Sequence, residues 1–346
     1  MKTDTINKDL INQAKLNIDQ IVKFSLEHTS TNKALVVYDT QTNLSRILTE
    51  CYRSSLPEAT FMNFDESSKE DMLLEINKYN PNDLIVLIQS GSFLLNDFRI
   101  RITLFDMGLK VIEHVHLIRL SKNSEATYIN SLSYDPNWYR VIGPKLQNQL
   151  ANCGTLKIFS SKNGYELKLI ISNGLELPKL NIGDYTGMKN KGGTFPIGEV
   201  FTEAKDLNNM NGSIMIDTFA TTKFEVLTVE PFRIDIKDGI IVSWGDNTHE
   251  EFIAVMNKIQ THETLLVREI GFGLNKAITI ESPVEDITAF ERKLGIHLSI
   301  GHKHSVYKKP NIQAHKAKFH VDIFPHITKV EVDDNVIFDG GEYTIL

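Results

Sequence analysis

Residues 34–39 (Ala34-Leu35-Val36-Val37-Tyr38-Asp39) and 84–88 (Leu84-Ile85-Val86-Leu87-Ile88) are short runs with almost no polar side chain. A run that is apolar on both of its faces must be covered on both, as a parallel strand between helices is. The segments around them supply those helices. Residues 7–27 place Leu10, Ile11, Ala14, Ile18, Ile21 and Val22 at helical spacing. Thr42 or Asn43 can cap a helix that runs to about Arg53. A strand at 59–64, a helix from Ser67 to Tyr79, a helix near 96–107 and a strand at 110–119 continue the pattern. This alternation predicts an α/β N-terminal domain with a parallel sheet, over about residues 1–150.

Beyond residue 150 the texture changes. The strand-like runs are Leu156–Phe159, Leu167–Ile171, Ser213–Ile216, Phe232–Ile236 and Ile240–Ser243, separated by turns such as Lys237-Asp238-Gly239. Helices are expected at about 248–260 and 284–293. The second half, 151–346, therefore reads as an α+β, antiparallel-rich domain. At 346 residues the chain is long for a single core, which agrees with two domains.

Composition narrows the function. The formal net charge is −7, which argues against a general nucleic-acid binder. The two cysteines, Cys51 and Cys153, are too few for a disulfide framework or a thiolate metal site. With no apolar signal core after Met1 and no run long enough to span a membrane, the expected location is cytoplasmic, without a membrane partner. The first apolar strand is followed by Asp39-Thr40-Gln41-Thr42-Asn43, which carries no glycine fingerprint for a nucleotide. Gln89-Ser90-Gly91-Ser92 is a weaker alternative, and a scaffold or substrate-side role fits this half better.

Every candidate ligand lies in the second half. Six of the eleven histidines fall between His297 and His326: His297, His302, His304, His315, His320 and His326. In Phe319-His320-Val321-Asp322-Ile323 an imidazole and a carboxylate stand two apart in an apolar run. Strand geometry would aim both at one point, as a zinc, manganese or iron site needs. Three other segments embed a single polar group among apolar neighbours. These are Glu199 in Pro196–Thr202, Glu269 in Val267–Asn275, and His297 in Gly295–Gly301. Each has a plainer reading. Glu199 can form a buried salt bridge, Glu269 can pair with Arg268, and His297 can be a hydrogen-bonded core histidine. His302, His315 and His326 read as surface or supporting groups.

The order of these segments is "Pro-x-Gly-Glu-Val-Phe-Thr", "Glu-x-Gly-x-Gly-x-Asn", "His-x-x-x-Gly" and "His-x-Asp". In this order they resemble the M29 metallo-aminopeptidases, of the aminopeptidase T and AmpS type. The ending Val332–Tyr343 resembles that family's final hairpin. The resemblance covers roughly 190–346 well, and the N-terminal half only as a similar α/β pattern. It implies that Glu199, Glu269, His297, His320 and Asp322 hold two divalent cations, zinc, cobalt or manganese. A water activated between them would release N-terminal residues from short peptides, with Glu199 or Glu269 taking its proton. It also implies a homodimer.

Two departures stand out. The family has an acidic residue shortly before the first histidine, where this chain has Arg292 with Glu291 one position away. Seven residues after that histidine the family has tyrosine and this chain has His304, which can serve as an added ligand or as a general acid/base; Tyr307 is displaced. The 2,5-dihydroxypyridine dioxygenases resemble the peptidases but hold one iron on two histidines and an aspartate. They have histidine at the position of Glu269 and no acid at the position of Glu199. Both glutamates are present here, which favours the hydrolase. The alternatives are a mononuclear non-haem Fe(II) ring-cleaving dioxygenase of hydroxylated aromatics and a non-catalytic, peptide-binding relative.

Overall fold

The computed structural model describes residues 8–94, 100–162, 164–304, 306–310, 312 and 316–345. His315 lies outside them. The described helices are α1 (Lys8–Gln20), α2 (Asn43–Ser55), α3 (Lys69–Ile76), α4 (Ile100–Asp106), α5 (Glu125–Ser131), α6 (Pro136–Ala151), α7 (Glu250–Gln260) and α8 (Ile287–Phe290). The first strands are β1 (Ala34–Tyr38), β2 (Thr60–Asn63), β3 (Leu84–Ile88) and β4 (Lys110–His114). They are followed by β5 (Thr155–Lys162), β6 (Tyr165–Ser172), β7 (Lys179–Asn181), β8 (Lys191–Phe195) and β9 (Glu199–Glu203). Next come β10 (Met210–Ala220), β11 (Val226–Lys237), β12 (Ile240–Trp244), β13 (Val267–Gly273) and β14 (Gly295–Ile300). The last are β15 (Val321–Pro325), β16 (Ile327–Val332), β17 (Asn335–Asp339) and β18 (Glu342–Tyr343). Among the described residues no helix is long and apolar enough to cross a membrane.

The chain divides into two compact units. One comprises Met1–Tyr139, Gly183–Ile197 and Ser282–Ala289; the other comprises Arg140–Ile182, Gly198–Glu281 and Phe290–Leu346. The first unit holds a five-stranded, all-parallel sheet in the order β2-β1-β3-β4-β8. Leu35, Val37, Ile85, Leu87 and Val111 share one face and pack with Met72, Ile76 and Leu104. Val36, Val86 and Ile112 are fully buried on the other face, as the apolar runs require. Thr42 caps α2, exchanging hydrogen bonds with Ser45, and Ser68 caps α3. The Asp39 carboxylate accepts hydrogen bonds from the Ser90 amide and hydroxyl. Asp39 therefore pins the loop after β3 rather than standing open to a ligand.

The edge strand β8 comes from the second half of the sequence. Gly192, at φ +117°, lets it pair with β4, since a Cβ there would lie 1.8 Å from the Val111 carbonyl oxygen. The expected strand at 110–119 is shorter than predicted: it stops at His114, and residues 117–119 form a 3₁₀ turn.

The second unit is built on a thirteen-stranded antiparallel sheet. Its main path is β18-β17-β16-β5-β6-β10-β15-β14-β13-β9-β7, with β11 and β12 continuing from β10. All the expected strand runs of this half are present. Helix α7 starts at His249, whose ring accepts from the Glu251 amide. The helix expected at 284–293 is only the four-residue α8. The terminal hairpin turns at Asp333 and Asp334, both at positive φ, and Tyr343 donates to the carbonyls of Gly273 and Gly295.

Candidate metal centre

Four adjacent strands of the antiparallel sheet, β9, β13, β14 and β15, carry the candidate site. Side chains two apart on a strand share a face, so Glu269, Gly271 and Gly273 project together from β13. Gly273 lies opposite Glu199, and Gly271 lies opposite His297. Ser299, two residues on from His297, lies opposite Asp322. Register alone thus brings Glu199, Glu269, His297 and Asp322 to one face. All four are buried.

The two glycines explain how that face accommodates so many polar groups. A Cβ at Gly271 would lie 2.0 Å from Cε1 of His297, so the imidazole occupies the space a side chain would need. A Cβ at Gly273 would lie 1.9 Å from the Lys293 carbonyl oxygen, so the backbone of 292–293 passes directly over it. The Asn275 amide then donates to the Arg292 carbonyl, at 2.9 Å. The "Glu-x-Gly-x-Gly-x-Asn" segment therefore supplies one carboxylate, one slot for an imidazole and one seat for a crossing segment.

That crossing segment brings in Arg292, which the sequence reading did not count among the site residues. Its Nη1 bonds Glu199 Oε2, and its Nη2 lies 2.8 Å from Glu291 Oε1. The plainer reading of Glu199, a buried salt bridge, thus has a partner, and it is an arginine. The remaining Glu199 oxygen, Oε1, lies 3.3 Å from His297 Nε2. Glu269 Oε1 lies 3.5 Å from the same nitrogen. On its other oxygen Glu269 faces His304 Nδ1 at 2.9 Å. His320 Nε2 lies 3.3 Å from Asp322 Oδ1, while its Nδ1 donates to the Lys303 carbonyl. Arg268 pairs instead with Glu203, against which it is fully buried. Its guanidinium also reaches the carbonyls of His302, His304 and Tyr307, and so holds the segment that presents His304.

Five buried atoms in this cluster have no hydrogen-bond partner among the described residues: Glu199 Oε1, His297 Nε2, His304 Nε2, Asp322 Oδ1 and Arg292 Nε. Four of them are oxygen or imidazole nitrogen, the donor types that bind divalent ions. Buried polar atoms are rarely left unpaired unless water or an ion completes them. Glu199, Glu269 and His297 each offer an atom within 4.8 Å of the others, and Glu291, His297 and Asp322 do the same. This donor set fits zinc, manganese, cobalt or ferrous iron.

The electrostatics follow from burial and these contacts. Burial alone would raise the Glu269 carboxyl, but the neighbouring imidazoles of His297 and His304 hold it well below the usual carboxylate range. Burial pushes Glu291 up to about 8, against the opposing pull of Arg292. Burial would lower His320, yet Asp322 beside it raises the imidazole to about 10. His297 is likewise raised well above its ordinary value, because Glu199 and Glu269 outweigh burial.

The other histidines of the cluster divide clearly. His302 bonds Thr264 and His326 bonds Asp217, both away from the centre. His304 stacks between Tyr307 and His320. Tyr307 does not substitute for the family tyrosine, because its hydroxyl donates to the carbonyls of Leu177 and Phe201. His320 stands just before β15 rather than within it, and only Asp322 of that pair is a strand residue.

The chain matches no established family profile and no curated protein. Among solved structures it is similar to 2,5-dihydroxypyridine dioxygenase from Pseudomonas putida KT2440, at TM-score 0.63 and 12% identity. That match covers 96% of this chain and 97% of the other. It is also similar to wild-type AmpT from Thermus thermophilus, at TM-score 0.57 and 11% identity, over 97% of this chain and 99% of that one. At such identities the likeness shows a shared fold.

Proposed function

We propose that this protein is a metal-dependent hydrolase of the aminopeptidase kind, acting on short peptides. The observation that carries this reading is the convergence of two buried glutamates on one imidazole, with unpartnered ligand atoms around them. Glu269, His297, Asp322 and His320 would hold the ion, with Glu199 contributing its free oxygen. A bound divalent ion would supply a Lewis acid and an activated water. The chain's own groups supply proton handling. His304 keeps its Nδ1 proton on Glu269, which leaves Nε2 free to take or give a proton at the reacting atoms. Arg268 fixes the segment on which His304 sits.

The second reading, a mononuclear iron ring-cleaving dioxygenase, draws on one specific observation. Arg292 engages one oxygen of Glu199 and so leaves less carboxylate charge for a second ion. Two glutamates in place of neutral ligands support hydrolysis over this alternative.

Purified protein supplied in turn with zinc, manganese and cobalt should release the N-terminal residue from some member of an aminoacyl-nitroanilide and dipeptide panel. Glu269→Gln should lower kcat by about 10²–10⁴-fold. Folded, metal-loaded protein that hydrolyses none of the panel would remove the hydrolase reading. Oxygen uptake with a hydroxylated pyridine and ferrous iron would establish the dioxygenase instead.

A further inference from the structure

We propose that Arg292 is a built-in cation of this centre, so that each chain takes one divalent ion where the resembled peptidases would take two. The inference rests on the metal-centre reading above and concerns how that centre is filled.

The guanidinium bridges two carboxylates, Glu199 through Nη1 and Glu291 through Nη2. Those two carboxylates belong to the two different ligand groups, which share only His297. Arg292 therefore spans both groups and neutralises one carboxylate of each. Arginine does not give up its proton in proteins, so this positive charge is permanent. A second divalent ion placed on the same carboxylates would stand beside a buried like charge.

Arg292 is also fixed in place. Its backbone lies over Gly273, where a side chain would collide, and its carbonyl accepts from the Asn275 amide. Its side chain is 9% exposed, so water cannot readily replace the carboxylates it binds. The ion is left to Glu269, His297 and the free Oε1 of Glu199, which lie within reach of one another. The two glutamates of the peptidase pattern thus take different parts: Glu269 is a ligand, and Glu199 divides its oxygens between the ion and Arg292.

The test is a manganese(II) titration of the metal-free, full-length protein, followed by calorimetry and by electron paramagnetic resonance. Wild type should bind one ion per chain and give the six-line spectrum of an isolated manganese. Arg292→Gln should bind two, with the broadened spectrum of a spin-coupled pair, whereas Arg292→Lys, which keeps the charge, should bind one. Two coupled ions in wild type would overturn the assignment whatever the variants do, as would a folded Arg292→Gln that still binds one. Wild type that binds no ion would instead overturn the metal-centre reading itself.

Discussion

Each unit of this molecule buries an imidazole on a strand, and the two are treated in opposite ways. In the parallel-sheet unit, His114 has Tyr52 on Nε2 at 2.9 Å and Tyr128 on Nδ1 at 3.1 Å. Both nitrogens are satisfied, and burial pushes the imidazole down to about 3, so it stays neutral. In the antiparallel unit, His297 is equally buried but faces two carboxylates with no hydrogen bond to its Nε2. Burial of a histidine therefore does not mark a site. An incomplete partner set beside converging carboxylates does, because the unpaired atom is available to a ligand that the protein itself does not supply.

The largest expected effect tests the satisfied kind of polar burial within the second unit. Arg268 is fully buried against Glu203 and tethers three carbonyls of the 302–307 segment. Arg268→Ala should destabilise the fold by about 3–5 kcal/mol in denaturant titration, because it strands the Glu203 carboxylate. A loss below about 1 kcal/mol would show that this pair does not hold the loop.

Acid should expose the contrast next. The folded value of His114 lies below its unfolded value of 6.5, so its contribution to stability is complete above pH 6.5. That contribution is lost progressively as pH falls from there toward 3. Between pH 7 and pH 4.5 this one group should remove roughly 2–3 kcal/mol of unfolding free energy. His114→Phe, although weaker at neutral pH, should show a correspondingly shallower loss. Identical acid slopes for the two proteins would mean that His114 is not held neutral.

The smallest effect belongs to the unsatisfied kind. Asp322→Asn keeps an acceptor for His320 and removes a charge whose Oδ1 had no hydrogen bond. Without metal it should lose about 1–2 kcal/mol, because Asp322 is the group that holds the buried His320 charged. With a divalent ion at a hundredfold excess over its Kd, wild type should gain about 2.7 kcal/mol and the variant much less.

Much of the framework was readable from residue order. The runs at 34–38 and 84–88, the cap at Thr42 and the strand runs of the second half follow from local chemistry. So did the segments carrying Glu199, Glu269, His297 and Asp322, because polar groups set singly in apolar strands are conspicuous. What was missed depends on long-range pairing. Strand β8 joins β4 across about eighty residues, and periodicity says nothing about such a partner. Helices α5 and α6 are not among the elements expected from the sequence. Glu291 and Arg292 lie in a short segment that the sequence marks only as a departure from the peptidase pattern before the first histidine. Their position over Gly273 becomes visible only once β13 is folded. His302 and His326, read from the sequence as surface or supporting groups, find Thr264 and Asp217, whereas Nε2 of His304 finds no partner among the described residues.

Equilibrium dialysis of the metal-free protein against manganese and zinc, with elemental analysis of the retained ion, tests the central claim most directly. Wild type should retain an ion through dialysis, and the Glu269→Gln, Asp322→Asn double variant, still folded, should lose it. Wild type that emerges without metal, or a double variant that retains as much as wild type, would contradict a metal centre on this face of the sheet.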